Sequence, residues 1–204
     1  MIETIKNTEI FRSELKRKSI HLLGLAYPLA LFWLGLQDFR ILLIVFWVVI
    51  SFIEVVRLSH ASFNNWIYEY FGDLLREKEK NRPSGIFWML SGILFSAFTL
   101  DQPLLITTLL LYVVLGDLLA SLVGKWWGGP KWFRSEKRLS GSLACFVGCA
   151  IVGALLLRPI YSWHLILLGA LVATASEVGS LSLDDNFSIP VASAILFSLS
   201  LPIR

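Results

Sequence analysis

Seven apolar runs, at residues 19–36, 41–56, 85–100, 104–123, 141–157, 163–183 and 187–201, fill most of this 204-residue chain and leave few folds open to it. A helix needs about 20 apolar residues to cross the hydrocarbon core, because each residue advances about 1.5 Å. Inside lipid every backbone polar group must be satisfied within the segment, so runs of this length are read as spanning helices. With 56% hydrophobic and 16% charged residues, no separate soluble catalytic domain fits between them. The prediction is an all-α, polytopic membrane bundle of about seven transmembrane helices, forming one catalytic domain over residues 1–204. The segment 62–82 is polar and amphipathic, and is expected to lie on the cytoplasmic surface of the membrane. The mixed-charge N-terminus runs into the first apolar segment without a small-residue cleavage site, which favours a retained span over a removed signal peptide.

The basic residues orient these spans. With a cytoplasmic N-terminus, only Arg40, Arg158 and Arg204 of the 18 Lys and Arg fall outside, as the positive-inside rule requires. Orientation does not explain the acids. Asp117 and Glu177 each sit about two turns inside an apolar run, where an ionised group costs on the order of 3 kcal/mol. They need partners. Two carboxylates held together inside a membrane repel unless a proton or a divalent cation lies between them, which points to Mg²⁺.

Other polar residues gather on the same inner face. Glu14, Arg17, Lys18 and His21 have the i, i+3, i+4, i+7 spacing of one helical stripe. Glu54 and Arg57 repeat the i, i+3 pair and read as snorkelling charge at a helix end. Asp117, Ser121 and Gly124 share a face with the small residues Gly116 and Ala120, a stripe suited to close helix packing. A basic, glycine-containing cytoplasmic loop at 124–140 follows, with Gly128, Gly129, Lys125, Lys131, Arg134, Lys137 and Arg138. Its glycines let backbone N–H groups approach an anion and its lysines supply charge, a composition that suits a polyphosphate or serves simply as a topology determinant. Trp126, Trp127, Trp132 and Phe133 read as interfacial anchors. Asp184, Asp185 and Asn186, with Pro190 beyond them, read either as a helix cap or as further hard oxygen ligands. Cys145 and Cys149, with no histidine nearby, read as small packing residues.

Taken in order, these motifs resemble the CTP-dependent lipid-alcohol kinases, a family that includes dolichol kinase, phytol and farnesol kinase and the yeast-type diacylglycerol kinase. "ELKRKSIH" resembles the family's E-x-x-R-K-x-x-H, at Glu14, Arg17, Lys18 and His21. "REKEKNRPSG" is similar to its R-x-x-E stretch before Ser/Thr-Gly, at Arg76, Glu79, Ser84 and Gly85. "GDLLASLVGKWWGGPK" resembles G-D-x-x-A-S-x-x-G-x-x-x-G-x-x-K, carried by Gly116, Asp117, Ala120, Ser121, Gly124, Gly128 and Lys131. "EVGSLSLDDNFSIP" resembles the closing E...D-D-N-x-x-I/V-P, with Glu177, Asp184, Asp185, Asn186 and Pro190. One position departs: "KRLSGS" keeps Lys137, Gly141 and Ser142 but has Ser140 where the family usually has glutamate. Either another acid such as Glu136 substitutes or the nucleotide differs.

The resemblance implies transfer of the γ-phosphoryl group of a nucleoside triphosphate, CTP, to the hydroxyl of a polyprenol, isoprenoid alcohol or diacylglycerol. It implies Mg²⁺ on Asp117, Glu177, Asp184 and Asp185, with Asp117 also the base for the alcohol proton. Glu14, Arg17, Lys18 and His21 would join the catalytic group. Nucleotide contacts would come from Arg76, Glu79, Ser121, Gly124, Gly128, Lys131, Lys137, Gly141, Ser142 and Asn186. The expected partners are a membrane lipid alcohol and a nucleotide, not nucleic acid, with the site on the cytoplasmic face of the bacterial cytoplasmic membrane or of a eukaryotic endoplasmic reticulum or plastid membrane. Two alternatives use the same features: a phosphatidate cytidylyltransferase, which would release pyrophosphate, and a small transporter, which would place its charges near mid-membrane between inverted repeats.

Overall fold

The computed structural model describes residues 21–72, 75–132, 137–179 and 184–200, and among them it is helical, with a single antiparallel bridge between Lys131 and Arg138. Glu14, Arg17, Lys18, Phe133, Arg134 and Glu136 lie outside the described residues.

A 3-10 turn at Leu22–Leu25 leads into α1, Ala26–Ser59. A straight 34-residue helix would be about 51 Å long. This one is bent back at Gly35, whose φ of 74° and ψ of 170° a side chain would resist. His21 and Arg57, at opposite ends of the run, line one cavity, while Arg40, just past Gly35, donates to the Ala97 and Leu100 carbonyls at the other end of the bundle. The two predicted runs are therefore two legs of one hairpin. The connector expected after residue 36 is helical instead, because a single glycine makes the corner.

α2, Ala61–Phe71, carries the first part of the amphipathic segment. The rest of it is not a continuation of that helix: a separate 3-10 turn forms at Glu77–Asn81. α3, Gly85–Thr99, begins where the Ser84 hydroxyl accepts from Phe87 N at 3.4 Å, a serine N-cap. α4, Pro103–Leu111, passes through a π-helical turn at Tyr112–Gly116 into α5, Asp117–Trp127. Gly128 and Gly129, with φ of 67° and 96°, end that helix. α6 is Leu139–Leu157, α7 Trp163–Gly179 and α8 Asp185–Ser200. The loop predicted at 124–140 is thus shorter, because α5 runs through Gly124 to Trp127 and α6 starts at Leu139.

By length and composition, three stretches can cross a membrane: Leu22–Ser59, Pro103–Trp127 and Leu139–Leu157. α3 and α7, of 15 and 17 residues, are shorter apolar helices. Helices of this length cross only where the bilayer thins or the bundle shields their ends.

Small residues let these helices touch. A Cβ on Gly141 of α6 would fall on the Ala120 carbonyl oxygen of α5, and one on Gly124 would come within 3.4 Å of Gly141 Cα. The stripe Gly116, Ala120 and Gly124 is therefore a packing face, with Gly116 against Cys145 and Cys149, both buried. At the α3–α8 contact, a Cβ on Gly92 would lie 2.6 Å from Pro190 Cγ and 3.0 Å from the Asn186 carbonyl oxygen. The Ser96 hydroxyl, beside it, donates to Gly92 O or Pro190 O, at 2.9 and 3.2 Å. Gly92→Leu is expected to force α3 from α8 and cost about 1–3 kcal/mol, read as a lower Tm in detergent; an unchanged Tm would contradict this packing.

Candidate functional site

The polar residues converge at one end of the bundle, around a cavity of about 270 Å³. Asp117 opens onto it from the first turn of α5, directly after the π-turn. A π-turn inserts an extra residue into the helical ladder and resets the direction of every side chain beyond it. Asp117 is 4% exposed, and its Oδ2 lies 3.6 Å from Nε2 of His21, which also approaches the Val113 carbonyl at 3.4 Å. Asn186, from the first turn of α8, lines the same cavity. Its amide nitrogen donates to Asp184 Oδ1 at 2.8 Å, while its buried Oδ1 has no hydrogen-bond donor among the described residues.

Next to the cavity the remaining acids alternate with cations. Lys137 Nζ donates to Glu177 Oε1 at 2.5 Å and Asp185 Oδ2 at 2.8 Å, tying the loop after α5 to the last turn of α7 and the first of α8. Arg76 Nη1 donates to Asp184 Oδ2 at 3.0 Å, with Asp185 Oδ1 and Glu79 Oε1 each 3.8 Å from its guanidinium. Lys78 approaches Asp184 at 3.8 Å. Glu177, Asp184 and Asp185 are all buried. A buried charge is tolerated only when paired and hydrogen-bonded. Burial pulls the pKa of Lys137 down, but Asp185 and Glu177 outweigh it and hold the ammonium above its ordinary value. Burial likewise opposes the Arg76 charge, and Asp185 and Asp184 outweigh it. For Asp184 burial and then Asp185 raise the carboxyl, with Arg76 pulling the other way. Burial also raises Glu79, against Arg76.

Three of the four acids expected to share a metal therefore meet cations, Glu177 and Asp185 at Lys137 and Asp184 at Arg76, while Asp117 faces the His21 imidazole. Among the described residues no three His, Cys, Asp or Glu side chains converge as a metal cluster. Asp184 also serves as the cap, its carbonyl accepting from Phe187 N and Ser188 N.

The glycine-containing loop is a stapled hairpin. Trp132 N donates to Lys137 O at 2.9 Å, and Leu139 N to Pro130 O at 3.0 Å. The Ser140 hydroxyl donates to Gly128 O at 2.5 Å, Arg138 Nη1 donates to Gly129 O at 3.1 Å, and Trp132 Nε1 to Ser142 Oγ at 2.9 Å. Ser140, where glutamate was expected, thus pins the turn. Lys131 lies exposed in the bridge with Arg138, while Lys137 points inward to the acids. Ser121 donates to Leu118 O in its own helix, and Gly124 and Gly141 pack helix against helix. Trp126 and Trp127 are 85% and 81% exposed, as interfacial anchors would be.

Arg57 differs most from expectation. It does not snorkel: it is 2% exposed. Its guanidinium donates to Glu54 Oε2 at 2.6 Å, Asn64 Oδ1 at 3.1 Å, Glu79 O at 2.9 Å and Arg82 O at 2.8 Å. Glu54 Oε2 accepts in turn from Ser84 N at 3.1 Å. The only sequence signal was the i, i+3 pair at the end of an apolar run; Asn64, from another element, gave none.

Lys137→Met would leave Glu177 and Asp185 buried without their shared cation. It is expected to cost about 3–5 kcal/mol, read as a large fall of Tm in detergent, which Glu177→Gln in the same chain partly restores. Equal Tm values for wild type and Lys137→Met would contradict the pairing.

No family model and no solved structure matches the chain. Curated relatives do. The CTP-dependent diacylglycerol kinase 1 of Eremothecium gossypii is 34% identical over 91% of this chain and 67% of its own length. That of Saccharomyces cerevisiae is 29% identical over 93% of this chain and 74% of its own. An uncharacterized protein of Rickettsia prowazekii is 28% identical over 91% of this chain and 93% of its own. With its cavity-facing aspartate, its paired acids and cations and its apolar helices, the chain belongs to the family of the CTP-dependent diacylglycerol kinases.

Proposed function

We propose that the protein transfers the γ-phosphoryl group of CTP to the hydroxyl of a membrane lipid alcohol, and that the alcohol is diacylglycerol. The observation that carries this reading is Asp117, a buried carboxylate facing a cavity with an apolar wall, next to a cluster of acids and cations. The names of the yeast relatives support the donor and the acceptor. Seven passes with a cytoplasmic N-terminus and one domain over 1–204 would put this cavity at the cytoplasmic face, where CTP is found.

Asp117 accepts the alcohol proton as the hydroxyl oxygen attacks the γ-phosphorus. The bond from phosphorus to the bridging β-phosphate oxygen breaks, and CDP leaves with its electron pair. His21, beside Asp117, orients the carboxylate. Lys137 and Arg76 give up part of their carboxylate contacts for phosphate oxygens, and Glu79 keeps Arg76 in place. Arg17, Lys18 and Glu14, which the family resemblance adds to the catalytic group, would complete it. Gly128 and Lys131 of the hairpin and Ser142 in the first turn of α6 would contact the remaining phosphates and the base. Asn186 Oδ1, a buried oxygen without a described donor, and Asp117 line the same cavity and would hold Mg²⁺, with Asp184, Asp185 and Glu177 joining them only as their cations turn to phosphate. When bound, it would neutralise charge on the β- and γ-phosphates.

Purified protein with Mg²⁺, diacylglycerol and γ-labelled CTP is expected to form labelled phosphatidate. Asp117→Asn should lower kcat by about 10²–10⁴ while leaving Tm near wild type. Labelling of a polyprenol but not of diacylglycerol would overturn the acceptor, label from α-labelled CTP would mark cytidylyl transfer, and label entering lipid only from ATP would overturn the donor. No label in any lipid with any donor would sink the kinase reading.

A further inference from the structure

We infer that the cavity beside Asp117 seats the hydroxyl-bearing end of the lipid acceptor, and that the amphipathic helix α2 forms the wall that selects which alcohol enters. This rests on the kinase reading and adds where the acceptor binds.

The lining of the cavity is of two chemical kinds. Asp117, His21 and Asn186 line it together with the charged Arg57, Glu54, Arg76 and Glu79, and the rest of the lining is apolar, with Ile50 and Ile53 from the second leg of α1, Ile67 and Phe71 from α2 and Met89 from α3. Alkyl groups gain about 25 cal/mol for each Å² they remove from water against such a wall, and a triphosphate gains nothing there. The basic hairpin contributes no described residue to the lining. Arg76, which also lines the cavity, would hold the γ-phosphate at its polar part while the alcohol lies along the apolar residues, so that donor and acceptor meet at Asp117.

Size and exposure indicate how the rest of the lipid is placed. At about 270 Å³ the cavity is below the range of roughly 300–1,000 Å³ that encloses a drug-sized ligand, so it holds the head of a lipid and not its chains. Ile53 and Phe71 line the cavity and are also 36% and 47% exposed, which marks an opening between α1 and α2. Beyond Ile53, Phe52 and Val49 present an exposed apolar surface. Beyond Phe71 lies an aromatic cluster, with Trp66 at 6.4 Å from Phe71, 5.3 Å from Tyr70 and 5.9 Å from Phe63. Trp and Tyr favour the depth of the headgroups, where a diacylglycerol hydroxyl resides. Chains leaving by this opening pass directly into lipid.

α2 is also fastened to the chemistry. Arg57 donates to its Asn64, Asn64 donates to Lys80 O at 2.8 Å, and Tyr68 donates to the carbonyl of Arg76 at 3.1 Å. Ile67 and Phe71, four residues apart, line the cavity from one face of this anchored helix.

Ile67→Trp and Ile53→Trp, made separately in the full chain, should each raise the KM for diacylglycerol about tenfold or more, with the CTP KM within about twofold of wild type. A diacylglycerol with a diazirine on its first acyl carbons, added to wild type without CTP, should crosslink to Ile53, Ile67 or Phe71. An unchanged lipid KM in a folded tryptophan variant, or crosslinks confined to α6 and α7, would overturn the assignment. If both variants unfold, the wild-type crosslinks decide. Wild-type protein that labels no lipid yet crosslinks at α2 would refute the kinase reading while leaving the cavity a lipid site.

Discussion

A carboxylate inside an apolar bundle must find a counter-charge or not be ionised at all, and the arrangement of this protein's polar end follows from that constraint. Glu177, Asp184 and Asp185 are buried at the ends of α7 and α8, and each reaches a cation from a different part of the chain. Lys137 comes from the hairpin after α5 and Arg76 from the segment after α2. Because one unpaired buried charge would cost several kcal/mol, these connectors cannot be placed independently of the helices they join. The pairs that neutralise the acids also assemble the site from four separate segments.

Arg57 does similar work nearby with carbonyls. By donating to Glu79 O and Arg82 O it fixes the turn that carries Arg76 and Glu79 to the end of α1. The link passes through Glu54 to the start of α3 at Ser84. A cavity bounded by α1, α2 and α3 can keep its shape because a buried guanidinium joins all three.

The sequence carried the helices well where the apolar runs were long. It also carried the small-residue stripe at Gly116, Ala120 and Gly124, since the spacing of a face depends only on helical period. His21, Asp117 and Asn186, which line one cavity, are all residues that the order of motifs singles out. Three things were not legible. The corner at Gly35 is a backbone choice that an apolar run conceals, since any glycine in a helix looks alike in sequence. The burial of Arg57 depends on partners 7 to 25 positions away, and no local pattern distinguishes it from a snorkelling arginine. Pairing of Lys137 with Glu177, 40 residues on, could not be read because one charge among several in a basic loop does not show which way it points.

Pro190 in α8 has a further effect. Proline has no N–H, so the Asn186 carbonyl cannot receive the ladder bond that position 190 would otherwise donate. The first turn of α8, with Asp185 and Asn186, is therefore joined to the rest of its helix by fewer backbone bonds and to Asp184, Arg76 and Lys137 by side chains. The mechanical seam falls between turn and shaft. Gly92 of α3 packs across that seam, against both Pro190 and the Asn186 carbonyl oxygen, so the neighbouring helix splints the acidic turn to the shaft where the backbone bond is missing.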